Sequence, residues 1–258
     1  MAFLYIVVAL VLIFDFLNGF HDSANSIAIV VSTKVLSPLV AVMLAAFFNF
    51  IAFTVFPLRV AHTIGNGVVN PDVLNMTVIA SALVAAITWN LATWWLGLPS
   101  SSSHTLVGGL IGAAVTHGGT STVIFAGVIK IVSFIFIAPI LGMAMSFIIS
   151  TFVVFLFRKF TPTNVDKVFR KLQIISSSTL SLGHGGNDAQ KSMGIIWAAL
   201  IVSGLTTKND DIALWIILSC QSAIALGTLF GGWRIVKTMG QRITKVKPFE
   251  GFCAETAG

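Results

Sequence analysis

Long apolar runs divided by short polar patches make up most of this chain, and two of the patches fall inside runs rather than between them. About 20 consecutive apolar residues cross the hydrocarbon core of a bilayer. On that measure residues 1–33, 35–58, 73–98, 122–157, 172–203 and 212–232 each predict a membrane-embedded helix, and residues 60–72, with His62, Asn70 and Pro71, read as a loop by composition. The first run is interrupted by the polar patch Asn18 to Asn25, which predicts a helix broken or distorted near mid-membrane. The run at 122–157 carries Pro139 and predicts one long, tilted and kinked helix. After Trp94 and Trp95 comes PSSSSHT, Pro99 to Thr105, and then the Gly-rich run Leu106 to Val115, with no basic anchor on either side. A re-entrant hairpin of two half-helices meeting at the serines fits this better than two full crossings, because non-helical backbone at membrane depth survives only inside protein or a wet cavity.

Composition strengthens the reading. The 258 residues are 56% hydrophobic and 9% charged, which excludes an ordinary soluble domain and gives an all-α integral membrane protein. The first run begins without a basic leader and carries Asp15, so it predicts a spanning helix rather than a signal peptide. A net charge of +6 does not signal nucleic acid, because ten of the 15 basic residues fall in two blocks, Arg158 to Lys171 and Arg234 to Lys247, that flank apolar runs as cytoplasmic loops do. Parity then places Lys34 inside and the N-terminus outside. Cys220 and Cys253 offer neither a disulfide framework nor metal-ligand spacing.

The two internal patches are GFHDSAN, Gly19 to Asn25, and GGNDAQK, Gly185 to Lys191. Asn18, Asp22, Asn25 and Ser26 in the first stand where His184, Asp188, Lys191 and Ser192 stand in the second. An Asp at the centre of a membrane helix costs about 2.5 to 3.5 kcal/mol on insertion scales, so each is a functional candidate. By parity the two motif helices cross in opposite directions, an inverted-topology repeat whose substrate and ion sites lie near the midplane. The expected organisation is an N-terminal repeat over 1–157 containing a broken helix, the hairpin around 99–105 and the long helix, then a basic cytoplasmic loop over 158–171, then a partial C-terminal repeat over 172–258.

A helix start offers unpaired N–H groups and partial positive charge, so Ser101, Ser102, Ser103, His104 and Thr105 predict an anion site; the competing reading is that the serines only cap a helix. Asp22, Asn25, Asn187 and Asp188 supply hard oxygens for a small cation. The competing reading there is internal pairing, Asp188 with Lys191 and Asp22 with a histidine. Asp15, on the face of Asp22, joins the cluster or lines its access path.

At these residues the chain resembles the inorganic phosphate transporter (PiT) family, in its bacterial form: GFHDSAN and GGNDAQK match the paired signatures and PSSSSHT the first re-entrant tip. The resemblance implies an inverted-repeat transporter with discontinuous helices that moves phosphate with a cation, a proton ahead of sodium because Lys191 stands where the repeat puts Asn25. It implies phosphate binding at Ser101, Ser102, Ser103, His104 and Thr105, and coupling-ion binding at Asp22, Asn25, Asn187, Asp188 and Lys191, with Asp15, Asn18, His21 and His184 in support. The phosphate is carried free or as a metal complex. The chain ends before a second serine-rich tip, and Phe252 to Gly258 looks like the start of the corresponding hairpin, so a truncated chain is expected. No catalytic residue, metal ligand or cofactor is expected beyond the coupling cation, H+ or Na+. A membrane-embedded hydrolase is disfavoured because no Gly-x-Ser-x-Gly elbow occurs. The alternatives are a carrier of another oxyanion such as sulfate and a non-transporting membrane subunit or fragment. The expected partners are inorganic phosphate, the lipid bilayer and a second copy in a homodimer, and the expected place is the bacterial plasma membrane.

Overall fold

The computed structural model describes residues 1–57, 67–207, 210–238 and 246–258. His62 with its stretch of the expected loop, Lys208 between the runs at 172–203 and 212–232, and Arg242 and Lys245 of the second basic block lie outside the described residues. The helices are α1 (Ala2–Ser32), α2 (Pro38–Ile51), α3 (Met76–Leu96), α4 (Ser102–Gly118), α5 (Phe125–Phe157), α6 (Pro162–Val202), α7 (Leu214–Phe230), α8 (Trp233–Lys237) and α9 (Pro248–Ala257). Among the described residues there is no extended strand, only one isolated bridge between Val69 and Val123. Helices are the expected solution, since a membrane segment must satisfy its own backbone groups.

Local chemistry sets the ends. Asn75 caps α3, its side chain accepting from the backbone N–H of Thr77 and Val78, each at 3.0 Å. Gly97 closes α3 at φ 69°, the left-handed conformation that glycine adopts without a Cβ penalty. Ser101 caps α4, and Pro38, Pro162 and Pro248 open α2, α6 and α9.

One expectation needs correction, the break in α1: the helix runs unbroken through Asn18 to Asn25. Side chains of the patch bond laterally, His21 with Asp22 and Thr93, and Ser23 with the Gly232 N–H, so the backbone keeps its own ladder. The run around Pro139 is one helix, as expected, and α5 spans 33 residues.

The hairpin is re-entrant. Asn75 Nδ2 and His117 Nε2 meet at its base, 3.0 Å apart. Its tip reaches only the level of His21, where Thr93 and Ser100 lie within 3.3 and 3.5 Å of the His21 ring. From there α1 continues 11 residues to Ser32, about 16 Å at 1.5 Å per residue. A Cβ on Gly109 would come within 2.6 Å of the Ala82 carbonyl, so glycine permits the tight packing of α4 on α3.

The motif helices α1 and α6 pack side by side and antiparallel. Thr33 bonds Gln173 at one end, Ser177 donates to the Ser26 carbonyl, and Ser192 bonds Asp15 at the other. Gly19 lets α7 approach α1, because a Cβ there would run into the Ile224 carbonyl. Gly185 does the same for α2, with the Asn49 backbone 2.5 Å from a would-be Cβ. Gln173 also reaches Glu255 of α9 at 3.4 Å, and Ser176 donates to the same carboxyl at 2.5 Å. Outside this core α5 stands apart: Val153 is its one buried residue, and the rest presents exposed Phe, Ile, Leu and Met side chains.

Candidate functional site

Helical spacing brings the two motif carboxylates together from opposite directions. Asp22 and Asp188 are both buried and share His184, whose Nε2 lies 3.2 Å from Asp188 Oδ2 and 3.8 Å from Asp22 Oδ2. One ligand atom from each of Asp22, His184 and Asp188 falls within 4.8 Å of the others, a geometry that can hold a metal ion. The sequence reading gives His184 only a supporting place and expects no metal ligands; its spacing of four residues before Asp188 is the signal that pairs it with that carboxylate.

Both acids are also tied to the hairpin. Asp188 Oδ1 pairs with Lys191 Nζ at 2.5 Å, and the same ammonium donates to Ser103 Oγ at the start of α4. Asp22 Oδ1 lies 3.2 Å from His21 Nδ1, and His21 Nε2 faces Thr93 and Ser100, whose hydroxyls bond each other at 3.1 Å. Internal pairing of each Asp is therefore present as read from the sequence. The Lys191 ammonium thus meets the start of α4 at Ser103, the end of that helix that carries partial positive charge.

The five residues of the tip do not converge on one point, a correction to the expected cradle. Ser101, His104 and Thr105 line an open groove of about 820 Å³ along α3 and α4, shared with Ser100, Thr77 and His117. Ser103 turns the other way, into a cavity of about 260 Å³ that it shares with Lys191 and Leu106. Ser102 is wholly buried, its hydroxyl unpartnered among the described residues. A helix turns 100° per residue, so consecutive serines cannot share a face. Ser101 is also spent on capping, with the His104 N–H at 3.4 Å.

Asn25 and Asn187 stay outside the cluster, exposed on α1 and α6. Asn18 is buried with its amide oxygen unpartnered among the described residues. Asp15 is wholly buried and meets Ser192 at 2.9 Å, about two turns before Asp22 on α1. Arg234, assigned by sequence to a basic loop, instead stacks on Trp94 and Trp95 at 5.1 and 5.2 Å and donates to the Trp95 carbonyl at 2.9 Å, clasping the hairpin tip.

Comparison with known proteins extends this picture. The phosphate transporter family matches residues 18–258. A probable low-affinity inorganic phosphate transporter of Rhizobium meliloti is 53% identical over 251 residues, 97% of this chain and 75% of its own. One of the same description from Bacillus subtilis is 44% identical over 255 residues, 98% of this chain and 76% of its own. A solved structure described as the sodium-dependent phosphate transporter matches all of this chain and 82% of its own, with a TM-score of 0.85 at 25% identity.

Proposed function

Because the chain belongs to the phosphate transporter family, we propose that it carries phosphate by cation-coupled symport, with the proton as the coupling ion. That it is a membrane phosphate transporter and not an enzyme follows from the family and its relatives. The observation that carries the finer reading is Lys191: its ammonium joins Asp188 on α6 to Ser103 at the N-terminus of α4. A fixed positive charge at that point does the work a bound sodium would do, offsetting the carboxylates and drawing phosphate to the first turn of α4. Phosphate then exchanges places with the Ser103 contact, taking the ammonium, the Ser103 hydroxyl and the free N–H groups of that turn, while Ser101, His104 and Thr105 line its approach along the groove.

A second reading rests on the Asp22, His184 and Asp188 geometry. It has phosphate travelling as a neutral complex with a divalent cation, and these three residues receive that cation as cargo. In either case the two repeats rock about the shared site, with the N-terminus outside and Lys34 inside. The placement of Lys34 beside Arg170, whose guanidinium donates to the Lys34 carbonyl at 2.5 Å, supports a common cytoplasmic end.

The test is radiolabelled phosphate uptake into proteoliposomes with a pH gradient imposed, with and without sodium and magnesium. Proton-driven uptake independent of sodium is expected, and Lys191→Ala should lower it about 100-fold. Uptake that needs sodium and ignores the pH gradient would remove the proton reading. Co-accumulation of labelled divalent ion in step with phosphate would establish the second.

A further inference from the structure

The chemistry described so far leaves one carboxyl of the membrane interior without a task. Asp15 of α1 is wholly buried. Its Oδ1 accepts from Ser192 Oγ at 2.9 Å, and its Oδ2 has no hydrogen-bond partner among the described residues. None of the ion pairs among the described residues includes it.

The elements packed around Asp15 bring it polar and apolar side chains but no paired cation among the described residues. From α7 the buried thiol of Cys220 faces Asp15, and Gln221 beside it is wholly buried with both amide atoms unpartnered among the described residues. From α3 the apolar Ile79, Leu83 and Ala86 pack in one cluster with Phe14. On α1 itself Asn18 lies one turn on. From α6 come Ser192 and, farther off, His184 and Asp188, which act on Asp15 through space. Lys191 is committed to Asp188 and Ser103.

A carboxylate removed from water without a counter-charge costs several kcal/mol, whereas the neutral acid needs only hydrogen-bond partners. The amide oxygen of Asn18, one turn along the same helix, and the Ser192 hydroxyl belong to a surrounding that suits a neutral acid. The geometry points to Asp15 as the group that carries the coupling proton through the membrane. This rests on the proton-coupled reading above. On this assignment Asp15 rests as a carboxylic acid, the proton held on the unpartnered Oδ2. When the repeats move and water enters, the O–H bond breaks, the proton leaves to that water, and the carboxylate is tolerated only until it is protonated again. Neither oxidation nor reduction is involved. Phosphate at Ser103 and the proton at Asp15 are linked through the adjacent residues Lys191 and Ser192 on one turn of α6.

The test uses the whole purified chain in proteoliposomes containing a pH-sensitive dye. Wild-type vesicles given phosphate should acidify inside. Asp15→Asn should lower proton uptake per phosphate at least about tenfold while phosphate-for-phosphate exchange stays measurable, and Asp15→Glu should restore much of the acidification. Wild-type acidification in Asp15→Asn would overturn the assignment. Wild-type vesicles that take up phosphate without acidifying would instead refute proton coupling, leaving the phosphate reading intact. Infrared spectra of aspartate-labelled protein give an independent check that holds even if Asp15→Asn fails to fold. At neutral pH they should contain the carbonyl band of a neutral carboxylic acid, and Ser192→Ala, which removes one hydrogen bond, should shift it. No such band would likewise overturn the assignment.

Discussion

The two motif copies hold the same carboxylate and connect it to the hairpin in opposite ways. In the first, the residue just before Asp22 makes the link: His21 reaches Thr93 and Ser100, while Asn25, three residues after, is exposed. In the second, the residue three after Asp188 makes it: Lys191 reaches Ser103, while Asn187, just before, is exposed. The two helices run antiparallel, so opposite flanks of the two motifs face the hairpin and different residue types make the links. The first link is an imidazole and the second an ammonium. On the function proposed above, the α6 copy attracts the anion and the α1 copy positions the tip.

The largest expected effect tests that asymmetry. Asp188 is the closest carboxylate to both His184 and Lys191, at 3.2 and 2.5 Å, whereas Asp22 is 3.8 Å from His184. Removing one partner of a buried pair leaves the other charge uncompensated, at about 3–5 kcal/mol. Asp188→Asn should therefore lower phosphate uptake about 100-fold or more, and Asp22→Asn about tenfold, with surface expression of both near wild type. Initial rates of labelled uptake, normalised to protein in the membrane, decide it. Equal losses would mean that the two copies share one role.

A smaller effect comes from making the copies alike. Lys191→Asn gives α6 the residue that α1 carries at Asn25, replacing a fixed ammonium by an oxygen ligand suited to sodium. Proton-driven uptake should fall about tenfold, and sodium added at constant pH should recover part of it. Uptake in sodium against choline buffer measures this. A variant that stays sodium-insensitive would show that the charge of Lys191 is not what selects the coupling ion.

How far these features were legible in the sequence depends on the length scale of their cause. Apolar runs, the hairpin at the serines and the antiparallel crossing of α1 and α6 follow from hydropathy, Gly and Pro placement and charge, all local in the chain. The pairing of Asp188 with Lys191 was likewise legible, being a matter of three residues on one helix. The unbroken course of α1 was not, because whether Asn18 to Asn25 must distort the backbone depends on partners such as Thr93 and Gly232, distant in sequence. The same holds for the tip. A run of four serines suggests one cradle, but once Ser102 begins the helix, rotation sends Ser101 and Ser103 to different sides. Spacing reports His184 beside Asp188, but its sharing with Asp22, and Arg234 as the clasp, depend on tertiary contacts.

The smallest expected effect separates glycines that make the two copies comparable from one that does not. Gly19 and Gly185 occupy matching positions, and each marks a close helix approach, Gly19 to the Ile224 carbonyl and Gly185 to the Asn49 backbone. Gly183, two residues before Gly185, meets nothing within 4 Å of a would-be Cβ. Inside a helix an open glycine costs about 1 kcal/mol relative to alanine, so Gly183→Ala should raise the melting temperature slightly and leave uptake within about twofold. Gly185→Ala should do the reverse, because the obstructing atoms are backbone and α2 must move away from α6 to admit a methyl group. Thermal unfolding in detergent, run on both variants, reads the difference directly. If Gly183→Ala instead lost uptake while folding normally, the stretch before Gly185 would have to bend or slide during transport, and the matching of the two copies would extend to their motion as well as their packing.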